Sequence, residues 1–123
     1  MKAIKPLALA AALAFTLPVM AEERPDHFEA KPSPTLEAAL KNLAEYNPRL
    51  AEIVNKDTLS PEDLNNVHQL TYTLETALQK IDSEGKRVAE ILEEVHLASE
   101  SADSETVKKS GRDYLEGTAP LTH

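Results

Sequence analysis

The sequence contains no cysteine and no tryptophan, and its only two methionines, Met1 and Met20, lie close to its start. Without cysteine the chain cannot form disulfides, use a thiol nucleophile or attach haem covalently through a C-x-x-C-H motif. If Met1 and Met20 leave with a signal segment, the remaining chain also has no methionine to ligate copper or haem. These absences exclude thiol enzymes, c-type cytochromes and copper sites built on cysteine or methionine.

The sequence also lacks an apolar run long enough to cross a membrane. The run Leu7–Leu17 has 11 residues, whereas a transmembrane helix needs about 20. Two lysines precede this run, and Val19-Met20-Ala21 follows it as a small-x-small cleavage site. These features predict a cleaved secretory signal over residues 1–21 and a mature periplasmic protein that begins at Glu22. An uncleaved membrane anchor is the alternative.

Basic residues are scarce compared with acidic ones. The chain has 13 Lys and Arg against 21 Asp and Glu, a net charge of −8. Removal of the signal, which carries two lysines and no acid, makes the mature charge −10. Such a chain repels nucleic acid phosphates and anionic lipid, so we expect no nucleic acid and no membrane as partners. The charge attracts cations or basic proteins, or serves only solubility.

No stretch alternates apolar and polar residues as a strand does, so the sequence predicts an all-α fold, an antiparallel helical bundle. We expect an extended arm at 22–33, a helical domain at 34–117 and a tail at 118–123. Ser33-Pro34 and Ser60-Pro61 each place a good N-cap before proline at the first helical position. The first helix is predicted at about 35–56, with a kink or restart at Pro48.

The most regular pattern runs from Leu64 to Ala102, where apolar or small residues recur at steps of three and four. The d positions of this heptad repeat are Val67, Leu74, Ile81, Val88, Val95 and Ala102, the a positions are Leu64, Thr71, Leu78, Gly85, Leu92 and Ser99, and the g positions include Leu70, Ala77, Ile91 and Ala98. The phase continues through Asp82–Gly85. The pattern therefore predicts one long helix, about 61–101, with coiled-coil-like packing. A hairpin turning at 82–85 is the alternative.

Two of the four histidines, His68 and His96, follow a valine and occupy e positions of this repeat. On one helix their 28-residue separation is about 42 Å, too far to share a ligand. In a hairpin centred near Asp82 they would face each other and could hold a metal or haem. Glu93 and Glu100 are within helical reach of His96. A metal- or haem-binding bundle using His68 and His96 is therefore the alternative function.

The sequence shows no catalytic arrangement. Tyr72, four residues after His68, is interpreted as a packing partner of that ring. There is no Ser-His-Asp spacing, no glycine-rich phosphate loop and no pair of carboxylates at a strand end. We predict a non-enzymatic protein with no catalytic residue and no cofactor.

Three motifs carry a family resemblance. The stretches "EERPDHFEA", "VHQLTYTLE" and "EEVHLASE" resemble those of a group of small exported bacterial proteins of unknown function, over about residues 22–115. Size and helical content are also similar to those of periplasmic b-type cytochromes, which ligate haem with Met near the start of helix one and His in the last helix. Here helix one has no Met, and His123 is the only histidine after His96, so those ligands do not carry over.

The predicted function is interaction, either with a second copy of the chain or with another helical protein. A last helix, capped by Asp103 or Ser104, is expected to end near Glu116. Because it is short and poor in apolar residues, we expect it to cover the stripe of Val88, Ile91, Leu92 and Val95 only thinly. The unburied surface favours a homo-oligomer. A monomer results instead if the last helix covers that face alone.

Overall fold

The computed structural model describes residues 29–122, so the predicted signal segment and residues 22–28 of the arm lie outside the described part of the chain. The helices are α1 (Leu36–Val54), α2 (Pro61–Glu100) and α3 (Ser104–Thr118), followed by a short 3₁₀ turn at Ala119–Leu121. Within residues 29–122 no strand occurs. The all-α prediction and the long helix are confirmed, and the hairpin at 82–85 is wrong. No described helix is long and apolar enough to cross a membrane.

Helix α2 begins with the capping box that the sequence predicts. The Ser60 hydroxyl accepts a hydrogen bond from the Asp63 N–H (3.1 Å), and the Asp63 carboxylate accepts one from the Ser60 N–H (2.9 Å). These two bonds satisfy backbone donors that a helix start leaves without a partner. Lys56 Nζ lies 2.6 Å from the same carboxylate. The hydrogen bond from Lys56, with that from the Ser60 backbone, lowers the pKa of Asp63 to about 2.

Helix α1 begins at a different residue from the predicted one. The predicted cap, Ser33, is wrong, and Thr35 caps the helix by accepting a hydrogen bond from the Ala38 N–H (3.1 Å). Ser33 is buried, and its hydroxyl accepts a hydrogen bond from Asn42 instead. The helix does not restart at Pro48, which lies inside it. An internal proline removes one helical hydrogen bond and usually kinks or breaks a helix, but α1 continues through Pro48 to Val54.

The reversal between α2 and α3 takes only three residues. Ala102 has φ of 58°, the left-handed conformation, and the Asp103 N–H donates to the Ala98 carbonyl at 2.9 Å. This is a Schellman motif with alanine where glycine is usual. Asp103 then caps α3, because its carboxylate accepts a hydrogen bond from the Thr106 N–H (3.2 Å). α3 therefore turns straight back along α2.

Helices α1 and α3 pack end to end along one side of α2. The end of α1 lies at the start of α2, where Lys56 meets Asp63. The end of α3 lies near the middle of α2, where a Cβ on Gly117 would come within 2.6 Å of Val88 Cγ1. Across residues 29–122, α1 closely approaches the 3₁₀ turn after α3 but not α3 itself. At any height along α2, the described chain is therefore only two helices thick.

The last residues of the arm pack into the fold. The Lys31 N–H donates to the Thr73 hydroxyl (3.0 Å), and Asn42 Nδ2 donates to the Pro32 carbonyl (3.1 Å) and to the Ser33 hydroxyl (2.9 Å). Thr73 and Asn42 are both buried. These bonds fix residues 31–33 across the α1–α2 contact.

Candidate functional site

The core of the described chain uses only part of the heptad pattern of α2. The buried stripe consists mainly of d and g positions: Leu74, Ala77, Val88 and Ala98 are buried, and Val67, Leu70, Ile81, Ile91 and Val95 are half-buried. Thr73, at a c position, is also completely buried. The a positions, which the heptad pattern places in a coiled-coil core, are exposed except for Thr71, which is half-buried. One neighbouring helix at each height can bury only one stripe, and the a positions lie roughly 90° around α2 from its centre.

The a positions form one row along α2, which we call the leucine face: Leu64, Thr71, Leu78, Gly85, Leu92 and Ser99. Leu64, Leu78 and Leu92 are 57%, 54% and 44% exposed. Exposed leucines are common singly. Here they share one face and alternate with small residues at every seventh position. Successive leucines of this row are 14 residues, about 21 Å, apart along α2, with one small residue midway between them.

The expectation that α3 covers α2 only thinly is partly corrected. Val88 is buried, and Ile91 and Val95 are half-buried, because Gly117 lets α3 approach closely. Ser110 on α3 also donates to Glu94 on α2 (3.0 Å). Of that predicted stripe, only Leu92 stays exposed, and it belongs to the leucine face.

Gly85 is the hollow at the centre of the leucine face. A Cβ added there would meet nothing within 4 Å beyond its own helix turn. Glycine inside a helix lowers stability by about 1 kcal/mol relative to alanine. No contact within the described chain requires glycine at this position, which makes it different from Gly117. The missing side chain leaves open space on the leucine face.

The e positions border the leucine face on the side away from α1 and α3. They include His68 and His96, and both rings are exposed. The Tyr72 hydroxyl lies 3.1 Å from His68 Nε2, and the two rings meet edge to face with centroids 5.0 Å apart. His96 Nε2 lies 2.9 Å from Glu100 Oε1. The predicted pairing of Tyr72 with His68 is present.

The structure does not bring His68 and His96 together within one chain. Both lie in the unbroken helix α2, about 42 Å apart at 1.5 Å per residue. Within residues 29–122, no three His, Asp or Glu side chains converge as metal ligands. A metal or haem shared by the two histidines therefore requires a second chain.

A groove of about 400 Å³ lies between the end of α1 and the start of α2. Arg49 packs over the Tyr46 ring, 4.5 Å from its centroid, and donates to Glu45 (3.0 Å). Lys56, also in the lining, pairs with Asp63. Each basic group already has a carboxylate partner, so the groove has little attraction for an anion. We assign it no ligand.

A protein-family model, described as a family of unknown function (DUF6746), matches residues 1–123. The chain belongs to this family. No curated protein and no solved structure matches the chain. Family membership agrees with the predicted resemblance to a group of unknown function; it does not test export, and it assigns no role to any residue. The case for a function therefore rests on the surface of α2.

Two features of the structure are not predicted from the sequence. The exposure of the a positions could not be read from the heptad repeat, because the repeat is the same whether one helix or two pack on α2. The burial of Thr73 and Asn42 also had no signal, since neither lies on an apolar stripe. The alternation of leucine with small residues was visible in the sequence and is the signal that could have indicated the exposed face.

Proposed function

We propose that this protein is non-enzymatic and acts through self-association, in which a second copy packs antiparallel on the leucine face. The observation that supports this proposal is the exposure of Leu64, Leu78 and Leu92 on a helix whose d and g positions are already buried or half-buried. Fully burying one leucine is worth about 1.5–3 kcal/mol. Six leucines, three from each copy, would be removed from water.

A second copy completes a four-helix cross-section. The leucine face lies about 90° around α2 from the stripe that contacts α1 and α3. Antiparallel pairing places the first half of one α2 beside the second half of the other. Each height then holds α1, two copies of α2 and the partner's α3. The a and d positions together face the centre of this bundle, which is the packing that the heptad repeat predicts.

The sizes of the side chains favour the antiparallel register. A twofold axis between Ile81 and Asp82 overlaps the two copies of α2 almost completely. The same axis also places each leucine opposite a small residue of the partner. The pairs across the axis are Leu64 with the partner's Ser99, Leu78 with the partner's Gly85, and Leu92 with the partner's Thr71. Alternating large and small side chains interdigitate without voids.

The area is sufficient for a stable dimer. Helix α2 has 40 residues and is about 60 Å long, and a helix is about 10–12 Å wide. A strip of that size covers roughly 600–700 Å² on each copy. Stable specific interfaces bury about 800 Å² on each partner, and contacts between the flanking helices add to the strip.

The net negative charge opposes association of the two copies. The net charge makes the two copies repel at long range, and this repulsion weakens as salt is added. Near the proposed axis, Lys86 lies 2.8 Å from Asp82 in its own chain. Because Asp82 sits beside the axis, Lys86 of either copy is near both aspartates and offsets their repulsion.

Sedimentation equilibrium of the untagged protein tests the proposal. We expect a dimer mass at tens of micromolar, with tighter association as salt increases from 50 to 500 mM. A monomer mass throughout that range would overturn self-association. The leucine face would then remain available to a helix of another protein.

Location enters the proposal from the sequence alone. The lysines before Leu7–Leu17 and the junction after Ala21 support export to the periplasm. The intact mass of protein from a periplasmic extract should match Glu22–His123. A mass that still includes Met1 would contradict cleavage, and recovery only from the cytoplasm would contradict export.

A further inference from the structure

We propose that the antiparallel pair holds two equivalent divalent-metal sites, each formed by His68 of one copy with His96 and Glu100 of the other. The inference rests on the proposed self-association and adds a ligand class to the same surface. Within one chain the two histidines are about 42 Å apart. The second copy supplies the ligands that a single chain cannot bring together.

The positions of the histidines agree with the antiparallel register that pairs each leucine with a small residue. His68 and His96 lie at e positions, and e positions of antiparallel helices flank the seam on the same side. They stand at equal heights when the twofold axis passes through Asp82. The alternation of the leucine face sets that axis between Ile81 and Asp82. The two axis positions differ by half a residue, about 0.75 Å along the helix, which is the offset that the heptad repeat sets between a and e positions.

Half of each site is already formed in the single chain. His96 Nε2 and Glu100 Oε1 are 2.9 Å apart, and both side chains are about 60% exposed (61% and 63%). Two ligand atoms at about 2.0–2.2 Å from a tetrahedral zinc ion lie roughly 3.3 Å apart. The pair therefore needs only a small adjustment to hold one metal from two sides, and solvent reaches it freely.

His68 supplies the third ligand from the other copy. When the neutral ring carries its proton on Nδ1, Nε2 accepts a hydrogen bond from the Tyr72 hydroxyl at 3.1 Å. That bond holds the lone pair of Nε2 in a fixed direction. A metal ion would replace the phenol proton at Nε2, so Tyr72→Phe should leave metal binding intact.

The ligand set favours zinc or a similar transition-metal ion over Mg²⁺ and Ca²⁺. Two imidazoles and one carboxylate suit a borderline metal, whereas Mg²⁺ and Ca²⁺ prefer oxygen ligands alone. Three protein ligands and one water complete a tetrahedral zinc site. Two sites in the dimer predict one zinc ion per chain.

The first experiment measures the dimer dissociation constant of untagged protein by sedimentation equilibrium in EDTA, in buffered zinc and in magnesium. With free zinc at ten times the dissociation constant of each site, two loaded sites should tighten the dimer on the order of 100-fold. Magnesium should have no effect. Replacement of the other two histidines, His27→Gln and His123→Gln, should not change the response to zinc.

The second experiment shows that the ligands come from different chains. His68→Ala alone and His96→Ala alone should each lose the zinc response but dimerise in EDTA like the unaltered protein. An equimolar mixture of the two variants should regain about a tenfold response, because the mixed dimer rebuilds one complete site and lacks the other. Its zinc content should be one ion per mixed dimer.

The results separate the two proposals. A dimer in EDTA that does not tighten with zinc would overturn the metal sites and leave self-association standing. A monomer in EDTA that dimerises with zinc, and regains the response on mixing, would support the sites and overturn metal-free association. The shared sites would be overturned if zinc tightened the dimer of each histidine variant on its own. They would also be overturned if the mixture of the two variants showed no response to zinc.

Discussion

Ala77 and Leu78 are adjacent on helix α2 and have opposite surroundings: Ala77 is completely buried, whereas Leu78 is 54% exposed. The larger apolar side chain lies outside and the smaller one inside. In a chain that formed its final core alone, the greater gain from burying leucine would favour the reverse arrangement. The pair marks the boundary between the core of one chain and the face that we assign to a second copy.

Leu78→Asp should separate the dimer without unfolding the chain. It places a charge opposite the partner's Gly85 twice in each dimer, because the axis is twofold. Losing even the lower estimate for burying two leucines, about 3 kcal/mol, weakens association by about 100-fold or more. Sedimentation equilibrium measures the dissociation constant, and far-ultraviolet circular dichroism checks that helix content is retained.

Leu97→Asp is the matched control for this variant. Leu97 lies on the same helix and is also 54% exposed, but it is at an f position, about 140° around from the leucine face. The same loss of helix propensity therefore occurs away from the proposed contact. Equal weakening of the dimer by both variants would show that the leucine face has no special role.

Gly85→Gln should raise the stability of the single chain and weaken the dimer. Glutamine is a good helix former, and the position has open space, so the gain is about 1 kcal/mol at protein concentrations too low for association. In the dimer the same side chain fills the hollow for the partner's Leu78. Thermal unfolding at low concentration and sedimentation at high concentration measure the two effects.

Gly117→Ala provides the opposite comparison. A Cβ at Gly117 would lie 2.6 Å from Val88 Cγ1, so even one methyl group should destabilise the α2–α3 contact. Gly85→Ala should stabilise the chain in the same assay. A dimer dissociation constant unchanged by Gly85→Gln would contradict the proposed close approach of the two α2 helices at Gly85.

The sequence was sufficient to predict the long helix and its start. The unbroken phase through Gly85 predicted a continuous α2, and Ser60 with Asp63 predicted its capping box. Both are local signals, in which the side chain and the backbone that it organises lie within one turn. The sequence was not sufficient to predict which a, d or g positions are buried. That depends on how many helices pack at each height, which a periodic pattern does not record.

The polar contacts of the arm could not be predicted for a related reason. Asn42 contacts Pro32 and Ser33 only because α1 turns back beside the arm, and Thr73 contacts Lys31 across 42 positions of sequence. Ser33 was therefore interpreted as a helix cap, which is its usual role before proline. Tertiary hydrogen bonding overrode the local preference.

Asn42→Ala should destabilise the fold by about 1–3 kcal/mol, because it leaves a buried hydroxyl and a carbonyl without their donor. For a chain of this size, 1 kcal/mol corresponds to roughly 4–8 °C in melting temperature. Asn47→Ala, at an exposed position of the same helix, is the control and should change the melting temperature much less. Equal melting temperatures for the two variants would show that the arm does not stabilise the fold.

Asp63 should make stability depend on pH in the acid range. The hydrogen bond from Lys56, followed by that from the Ser60 backbone, holds the pKa of this carboxyl at about 2, below its ordinary value of 3.8. The folded chain therefore binds a proton at Asp63 less readily than the unfolded chain does. The resulting stability is fully present above pH 4 and is lost as the pH falls through about 2.

The difference in free energy of unfolding between the unaltered protein and Asp63→Asn, measured by urea denaturation at low protein concentration, should be constant from pH 6 to 5 and shrink steadily from pH 4 to 2. Every other acid is present in both proteins and cancels in this difference. Asp57→Asn, which alters an exposed acid in the adjacent turn, is the control, and a difference of similar size and pH dependence there would refute the role of the capping box.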